Sequence, residues 1–200
     1  MNNGRLIILS GPSGCGKDTI LKKVFQQAPE LLFSISSITR AMRSDEVQGE
    51  KYNFISVNEF EELIKNDGLL EYNVYLGNYY GTPKKPIDDA ISSGKEIIIE
   101  VDVNGASNIK KLYPDAISVF VLPPSMSVLE NRLNGRGTES KEIVEKRISE
   151  ARVEISRANE YDYIIINDNL DDAVADFITI IKSDRLSVNR TKNLIDEVLK

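Results

Sequence analysis

Short runs rich in apolar residues recur along the chain, at residues 5–9, 96–101, 117–122 and 163–167. Continuous runs of this length are typical of strands that are buried on both faces of a sheet. The segments between the runs carry apolar residues at helical spacing. The alternation of strands and helices therefore predicts an α/β fold in which a parallel sheet is flanked by helices.

Two of the intervening helices have clear apolar faces. The first face comprises Ile20, Leu21, Val24 and Phe25, and the second comprises Val174, Phe177, Ile178 and Ile181. Pro29 predicts the end of the first helix, because proline has no backbone N–H group to continue the hydrogen-bond ladder. We expect both faces to pack in the core and neither to bind a ligand.

A first interruption of the pattern spans residues 34–83, which are rich in Ser, Tyr, Asn and Gly. Strand-like pieces lie at residues 54–57 and 69–75. Between them, Asn58 and Glu61 predict a capping box at the start of a helix, and Gly68 predicts its end. These features predict a small α+β insertion.

A second interruption spans residues 125–159, with two predicted helices joined by a glycine-flanked segment at residues 134–138. Its arginines are Arg132, Arg136, Arg147, Arg152 and Arg157. A hinge that carries cations predicts a helical lid. The core then comprises residues 1–33, 84–124 and 160–200, and we expect a terminal helix beyond Ser183.

Composition narrows the class of protein. The chain has 200 residues, 41% hydrophobic and 28% charged, with a formal net charge of −6. The apolar runs are far shorter than the ~20 residues that span a bilayer, and the negative charge disfavours nucleic acid, so we expect neither partner. One cysteine and no signal-peptide pattern predict a cytoplasmic location. The absence of histidine excludes His-based triads and His-ligated zinc.

A phosphate-binding loop follows the first strand and precedes the first helix. It consists of Gly11, Pro12, Ser13, Gly14, Cys15, Gly16 and Lys17. Glycines allow backbone N–H groups to surround phosphate oxygens, and the lysine adds a mobile positive charge. The alternative is an ordinary glycine-rich turn, but strand, spacing, lysine and helix together predict binding of a nucleoside triphosphate.

The next position departs from the usual pattern, which has Ser or Thr there to reach magnesium. This chain has Asp18 followed by Thr19. A carboxylate suits both the helix start and Mg²⁺, so we predict that Asp18 is a metal ligand, with a purely structural role as the alternative. Because Cys15 occupies a variable position of the loop, we also expect its thiol to face the bound triphosphate.

Further motifs follow the phosphate loop in a fixed order. They are Ser36-Ser-Ile-Thr-Arg40-Ala-Met-Arg43, Tyr52-Asn-Phe, Leu70-Glu71-Tyr72, Gly77-Asn-Tyr-Tyr80-Gly81-Thr82, Glu100-Val-Asp102-Val-Asn-Gly105 and Arg132-Leu-Asn-Gly-Arg136-Gly-Thr-Glu. In this order, over about residues 5–182, the chain resembles guanylate kinase. The resemblance implies a P-loop NTPase core with a GMP-binding insertion and a lid, and Mg²⁺-dependent phosphoryl transfer from ATP to GMP by a monomer or homodimer.

The acceptor-binding residues make chemical sense. Arg40 and Arg43, with Tyr52 and Tyr80, supply charge-assisted and hydroxyl hydrogen bonds suited to a monophosphate, although solvated surface arginines are the alternative. Guanine presents two adjacent donors, which a carboxylate matches with two oxygens. The resemblance assigns this contact to Glu71, assisted by Asp102, and places the hydroxyl groups of Ser36 and Thr82 near O6 and N7 of the base.

The resemblance also assigns Arg136 and Arg147 to the transferring phosphoryl group, Arg132 to ATP phosphates, and Asn167 with Asp168 to the adenine side. The nucleophile is a phosphate oxygen, which is already ionised at neutral pH, so the reaction needs no histidine base. Catalysis then reduces to alignment and charge neutralisation. Two alternatives are a non-catalytic module that binds phosphopeptides and a kinase for another acceptor.

Overall fold

The computed structural model describes residues 4–44, 46–75, 77–135 and 141–200. The strands are β1 (Arg5–Ser10), β2 (Leu32–Phe33), β3 (Ser36–Ile38), β4 (Tyr52–Phe54), β5 (Leu69–Tyr75), β6 (Asn78–Pro83), β7 (Glu96–Glu100), β8 (Ile117–Leu122) and β9 (Tyr163–Ile166). The helices are α1 (Lys17–Gln27), α2 (Val57–Lys65), α3 (Lys84–Ser92), α4 (Val103–Leu112), α5 (Met126–Asn134), α6 (Lys141–Ser156), α7 (Leu170–Arg185) and α8 (Val188–Val198).

The four apolar runs form the predicted parallel sheet as β1, β7, β8 and β9, and the short strand β2, which was not predicted, joins it at one edge. The strand order is β2-β7-β1-β8-β9. The β1 strand lies at its centre, and Ile7 and Ile8 face opposite sides with no exposed area. One side packs against α1 and α7, which confirms the two predicted apolar faces. The other side packs against α3 and α4. Both faces of the sheet are therefore covered, as parallel sheets require.

A second sheet, with strand order β4-β3-β6-β5, forms within residues 36–83. The α2 helix packs on it through Phe60, whose ring stacks on Tyr79 at a centroid distance of 5.0 Å. Phe60 also lies over Gly81, where an added Cβ would come within 2.8 Å of its ring. The fully buried Phe60 thus fixes the position of α2 on the sheet.

Three details of this insertion differ from the sequence prediction. The strand before α2 is Tyr52–Phe54 rather than 54–57, because Val57 already belongs to the helix. The capping box is formed by Ser56 and Glu59, not by Asn58 and Glu61. At the helix end, Gly68 donates its N–H to Leu63 at 2.8 Å as expected of a stop, but the left-handed residue is Asp67.

The predicted pair of helices in the second interruption is present as α5 and α6. Ser125 caps α5 through its hydroxyl group, and Leu129, Leu133, Val144 and Ala151 form a small apolar cluster between the helices. The predicted hinge residue Arg136 lies outside the described residues. Gly135 is the last described residue before α6.

The predicted terminal helix is present as α8. Arg190 of α8 is almost fully buried and pairs with Glu96 at 2.9 Å and Asp184 at 3.0 Å. Arg185 also pairs with Glu96, at 2.6 Å. These ion pairs attach α8 to the end of the sheet at which β1 and β7 begin. Within the four described segments, no helix is both long and apolar enough to cross a membrane.

Candidate active site

The phosphate loop has the backbone geometry that its glycines predict. Gly14 and Gly16 have φ angles of 87° and 96°, in the left-handed region that favours glycine. The position of Gly16 also has no room for a side chain, because an added Cβ would lie 2.3 Å from Asn167 Nδ2. The loop leads directly into α1, whose amino end contributes positive potential.

Lys17 lies inside this loop. Its Nζ donates to the carbonyl oxygen of Gly11 at 2.6 Å and lies 3.7 Å from Glu100 Oε1. Burial lowers the pKa of Lys17, but electrostatic interactions with Cys15 and Glu100 outweigh burial and raise it overall. Burial raises the pKa of Glu100, and Lys17 opposes that shift. Lys17 is therefore a protonated ammonium group held at the loop by oxygen atoms that phosphate can replace.

Asp18, the residue after Lys17, has a partner that was not predicted from the sequence. Its Oδ1 accepts from Lys51 Nζ at 2.5 Å, which joins α1 to the insertion. Burial alone would raise the pKa of Asp18, but the hydrogen bond and charge of Lys51 lower it. Asp18 also interacts with the carboxyl group of Glu100. Thr19, the next residue, is exposed.

A cavity of about 270 Å³ lies between the phosphate loop and the second sheet. Seven predicted site residues line it: Gly11, Lys17, Ser36, Tyr52, Glu71, Tyr80 and Asp102. The donor-side loop and most of the predicted acceptor-side residues therefore face one space, although they come from distant parts of the chain.

Glu71 lies at the inner wall of this cavity. Its Oε1 accepts from Thr82 Oγ1 at 2.6 Å, so the buried Thr82 orients the carboxyl group. Burial raises the pKa of Glu71, and the charge of Asp102 raises it further. Asp102 caps α4 by accepting from Asn104 N and Gly105 N, both at 2.8 Å. The carboxyl group of Glu71 is thus fixed by a hydroxyl group, and that of Asp102 is fixed by the start of a helix.

The predicted phosphate arginines have other contacts in this structure. Arg40 forms a bidentate ion pair with Glu46, and its Cζ lies 5.6 Å from the centre of the Tyr52 ring. Glu46 and Tyr80 raise the pKa of Arg40. Arg43 is exposed, and only its backbone N–H contacts Glu46, at 2.8 Å. Neither arginine lines the cavity, although Arg40 lies against Tyr52, which does.

Arg132 and Asn167 hold the back of the phosphate loop. Asn167 Nδ2 donates to the carbonyl oxygen of Cys15 at 2.7 Å, and Arg132 donates to Asn167 O at 3.0 Å. Arg147 is half-buried on α6 and does not line the cavity. The α5 helix and the end of β9 therefore meet at the loop, on the side predicted for ATP.

The prediction that Cys15 faces the triphosphate is wrong. Its side chain has no exposed area and belongs to the apolar core beneath the loop. Burial raises the pKa of the Cys15 thiol. Ser13, in contrast, is exposed at the loop.

Three charged residues at the cavity were given no role from the sequence: Lys51, Glu100 and Glu154. Glu100 ends β7, so its position at the carboxyl end of a central parallel strand was the signal that could have identified it. Lys51 precedes Tyr52 and carries no comparable signal. Glu154 lies on α6, and its position at the cavity depends on how that helix packs over the loop.

Comparisons with known proteins identify the family to which this chain is similar. The guanylate kinase family profile matches residues 3–184. A guanylate kinase from Carboxydothermus hydrogenoformans is 45% identical over 190 residues, which cover 95% of this chain and 93% of that protein. One from Gloeobacter violaceus is 48% identical over 170 residues, covering 85% and 83%. The crystal structure of guanylate kinase from Anaplasma phagocytophilum superimposes with a TM-score of 0.78 at 28% identity, covering 94% of this chain and 90% of that one.

Proposed function

The chain belongs to the guanylate kinase family, and from this premise we propose how its residues carry out ATP-dependent phosphorylation of GMP to GDP. The observation that carries the proposal is the shared cavity, in which Glu71 of the second sheet faces the same space as Lys17 of the phosphate loop. A base-reading group and a phosphate-binding group in one cavity suit a nucleotide acceptor lying beside a nucleotide donor.

Glu71 binds guanine in this proposal. When ionised, it accepts from the N1–H and N2 amine of the base, because its two oxygens match two adjacent donors. Thr82 fixes the carboxyl group through the 2.6 Å hydrogen bond. Asp102 assists from the start of α4, and Ser36 lines the same cavity near the base oxygen.

The acceptor phosphate lies near the two tyrosines of the insertion. Tyr52 and Tyr80 line the cavity and offer hydroxyl groups to phosphate oxygens. Arg40 exchanges its contact with Glu46 for the phosphate, and Arg43 joins from its exposed position. This exchange replaces one ionic hydrogen-bond pair with another, so little electrostatic energy is lost.

Lys17 and the backbone of the phosphate loop bind the donor phosphates. An oxygen of the acceptor phosphate attacks the γ-phosphorus, and the bond from that phosphorus to the bridging oxygen breaks, which leaves ADP. The attacking oxygen carries no proton at neutral pH, so no side chain has to remove one. Arg136 and Arg147 neutralise the transferring group when the lid closes, and Arg132 of α5 binds the phosphates of ATP.

The residues at the phosphate loop fit a magnesium ion. Asp18 and Glu100 present adjacent carboxyl groups beside Lys17, and Mg²⁺ takes one or two carboxylates together with substrate phosphates. Across the described segments, no cluster of three or more acidic, Cys or His ligands is present. We assign Asp18 as the ligand, with Glu100 beside it. When bound, the ion supplies charge neutralisation of the donor phosphates.

We also propose that the enzyme acts in the cytoplasm on these two small-molecule substrates, as a monomer or homodimer. The single cysteine is buried in the phosphate-loop region, which suits a compartment where thiols stay reduced.

A coupled assay of ADP formation tests the function. With ATP and Mg²⁺, GMP should be turned over far faster than AMP, dTMP or UMP, because these acceptors lack guanine's pair of donors. Lys17→Met should abolish turnover of every acceptor. A preference for another acceptor would contradict the role of Glu71, and binding of GMP without turnover would favour a non-catalytic module.

A further inference from the structure

The cavity has more negative than positive side chains. Among the described residues that line it, the acidic ones are Glu71, Glu100, Asp102 and Glu154, and the basic ones are Lys17 and Lys51. Two nucleotides add further negative charge through their phosphates. Each positive group that reaches this space therefore matters to binding, and Lys51 is the one that the family resemblance leaves without a role.

Lys51 lies where the insertion meets the phosphate loop. It directly precedes Tyr52, and its Nζ is 5.8 Å from the centre of the Tyr52 ring. The same Nζ contacts Asp18 Oδ1 at 2.5 Å, one residue after Lys17. The ammonium group is thus within reach of the predicted acceptor phosphate on one side and of the donor loop on the other.

The partner of Lys51 is one that substrates can remove. Asp18 is the proposed magnesium ligand, and its side chain is 64% exposed. A cation at Asp18 would displace the Lys51 ammonium group by repulsion and by competition for the same oxygen. The lysine side chain is itself 45% exposed, so it is free to rotate toward the phosphate.

We propose that Lys51 is a further catalytic residue, which pairs with Asp18 before the substrates bind and then contacts the phosphate of the acceptor nucleotide. The inference rests on the proposed function, because it takes GMP as the acceptor. Lys51 then joins Arg40 and the tyrosines at the acceptor phosphate, and its exchange of partners links occupation of the donor loop to binding of the acceptor.

Binding measurements without ATP or Mg²⁺ test this role. We expect Lys51→Met to weaken GMP binding, measured by calorimetry, by about tenfold, because a charge-assisted hydrogen bond is lost. Guanosine, which has no phosphate, should bind equally to wild type and variant. Lys51→Arg should retain most of the GMP affinity. With ATP and Mg²⁺ present, Lys51→Met should lower kcat/KM for GMP.

Asp18→Asn provides a second test, because it releases Lys51 from its partner. Without metal, this variant should bind GMP several-fold more tightly than wild type. The gain should disappear in the double variant Asp18→Asn/Lys51→Met. Lys84→Met is the matched control, since Lys84 forms a similarly exposed pair with Asp67 at 2.9 Å and does not line the cavity.

The outcomes separate this inference from the proposed function. Equal losses of GMP and guanosine affinity in Lys51→Met would show a structural role and overturn the inference. So would GMP binding and kcat/KM indistinguishable from Lys84→Met, with wild type still phosphorylating GMP. If wild type neither binds guanosine nor phosphorylates GMP, the proposed function fails and the inference fails with it.

Discussion

At the scale of single residues, the burial of Glu71 makes base recognition sensitive to pH. Because burial disfavours its charged form, the pKa of Glu71 is raised above the ordinary glutamate value. Guanine requires the ionised form, so guanosine affinity should be constant above the raised pKa and fall by up to about tenfold per pH unit below it. The loss should begin at a higher pH than for an exposed glutamate.

Guanosine titrations from pH 7 downward measure this effect without interference from a phosphate ionisation. Glu71→Gln should lose about 1 to 3 kcal/mol of guanosine binding free energy. Its remaining affinity should not fall as the pH is lowered. The same shift has a sign for stability. Ionising buried Glu71 disfavours the folded state, so its unfavourable contribution grows as pH rises from the ordinary value through the raised one. An unchanged acidic fall in Glu71→Gln would exclude Glu71 as its source.

Gly16 combines a left-handed backbone with a crowded site. Gly16→Ala should lower the free energy of unfolding by more than ~2 kcal/mol and abolish ATP binding, because the new Cβ would meet Asn167 Nδ2 at 2.3 Å. Gly49→Ala is the control, since Gly49 has a φ of 80° but no atom within 4 Å of the new Cβ. It should cost only about 1 kcal/mol. Equal losses in the two variants would mean that backbone strain alone decides.

Cys15 should react slowly with thiol reagents in the folded protein. It is fully buried and its pKa is raised, so both access and thiolate formation are restricted. Labelling should therefore follow the unfolded fraction as urea is added, and ATP should protect the thiol only by stabilising the fold. Rapid labelling in native buffer, blocked by ATP, would restore the rejected orientation toward the triphosphate.

At the scale of elements, Asn167 connects the end of β9 to the phosphate loop and to α5. Asn167→Ala removes a buried donor from the carbonyl oxygen of Cys15, which leaves only the longer contact of Arg132 at 3.4 Å. We expect a loss of about 1 to 3 kcal/mol in the free energy of unfolding and weaker ATP binding, with guanosine binding unchanged. Urea unfolding and separate titrations of the two ligands measure this, and a parallel loss of guanosine affinity would contradict it.

The elements that the sequence predicted are those with strong local patterns. Four strands of the parallel sheet, β1, β7, β8 and β9, are continuous apolar runs, and each of their boundaries lies within one residue of its prediction. The two-residue strand β2 was not predicted. In the insertion, both Ser56 and Asn58 have a glutamate three residues later, so the local pattern allows two helix starts. The start at Ser56 is favoured by the packing of Phe60 of α2 against Gly81 of β6, a contact between distant segments.

The site residues likewise divide into those with a strong local sequence pattern and those without one. The phosphate loop was predictable because one short segment contains its strand, glycines and lysine. The pairs of Lys51 with Asp18 and of Lys17 with Glu100 were not, since each joins segments that only the folded chain brings together. The contact of Arg40 with Glu46 is local but was hidden, because acidic residues near an arginine are common on surfaces.

At the scale of the whole molecule, buried ion pairs attach α8 to the sheet. Removing one partner of a buried pair leaves an uncompensated charge, so Arg190→Met should lower the free energy of unfolding by about 3 to 5 kcal/mol. Its side chain is only 4% exposed, beside Glu96 and Asp184. Lys85→Met, which removes an exposed pair with Asp89, should change it by less than ~0.5 kcal/mol.

Both variants should keep the affinity of the wild type for guanosine, because Arg190 and Lys85 lie away from the cavity. Denaturant unfolding monitored by circular dichroism measures the stability difference. Equal stability of Arg190→Met and Lys85→Met would mean that the tail is dispensable for the fold.

The central position of β1 also determines when the phosphate loop can form during synthesis. Its neighbours in the sheet are β7 and β8, which begin at Glu96 and Ile117. Non-local pairings of this kind form slowly, since the intervening chain must first be closed into a loop. As the chain leaves the ribosome, β1 therefore cannot complete its pairing until β7 and β8 have been synthesised. We expect the nucleotide-binding loop, although encoded near the start of the chain, to acquire its shape late in folding.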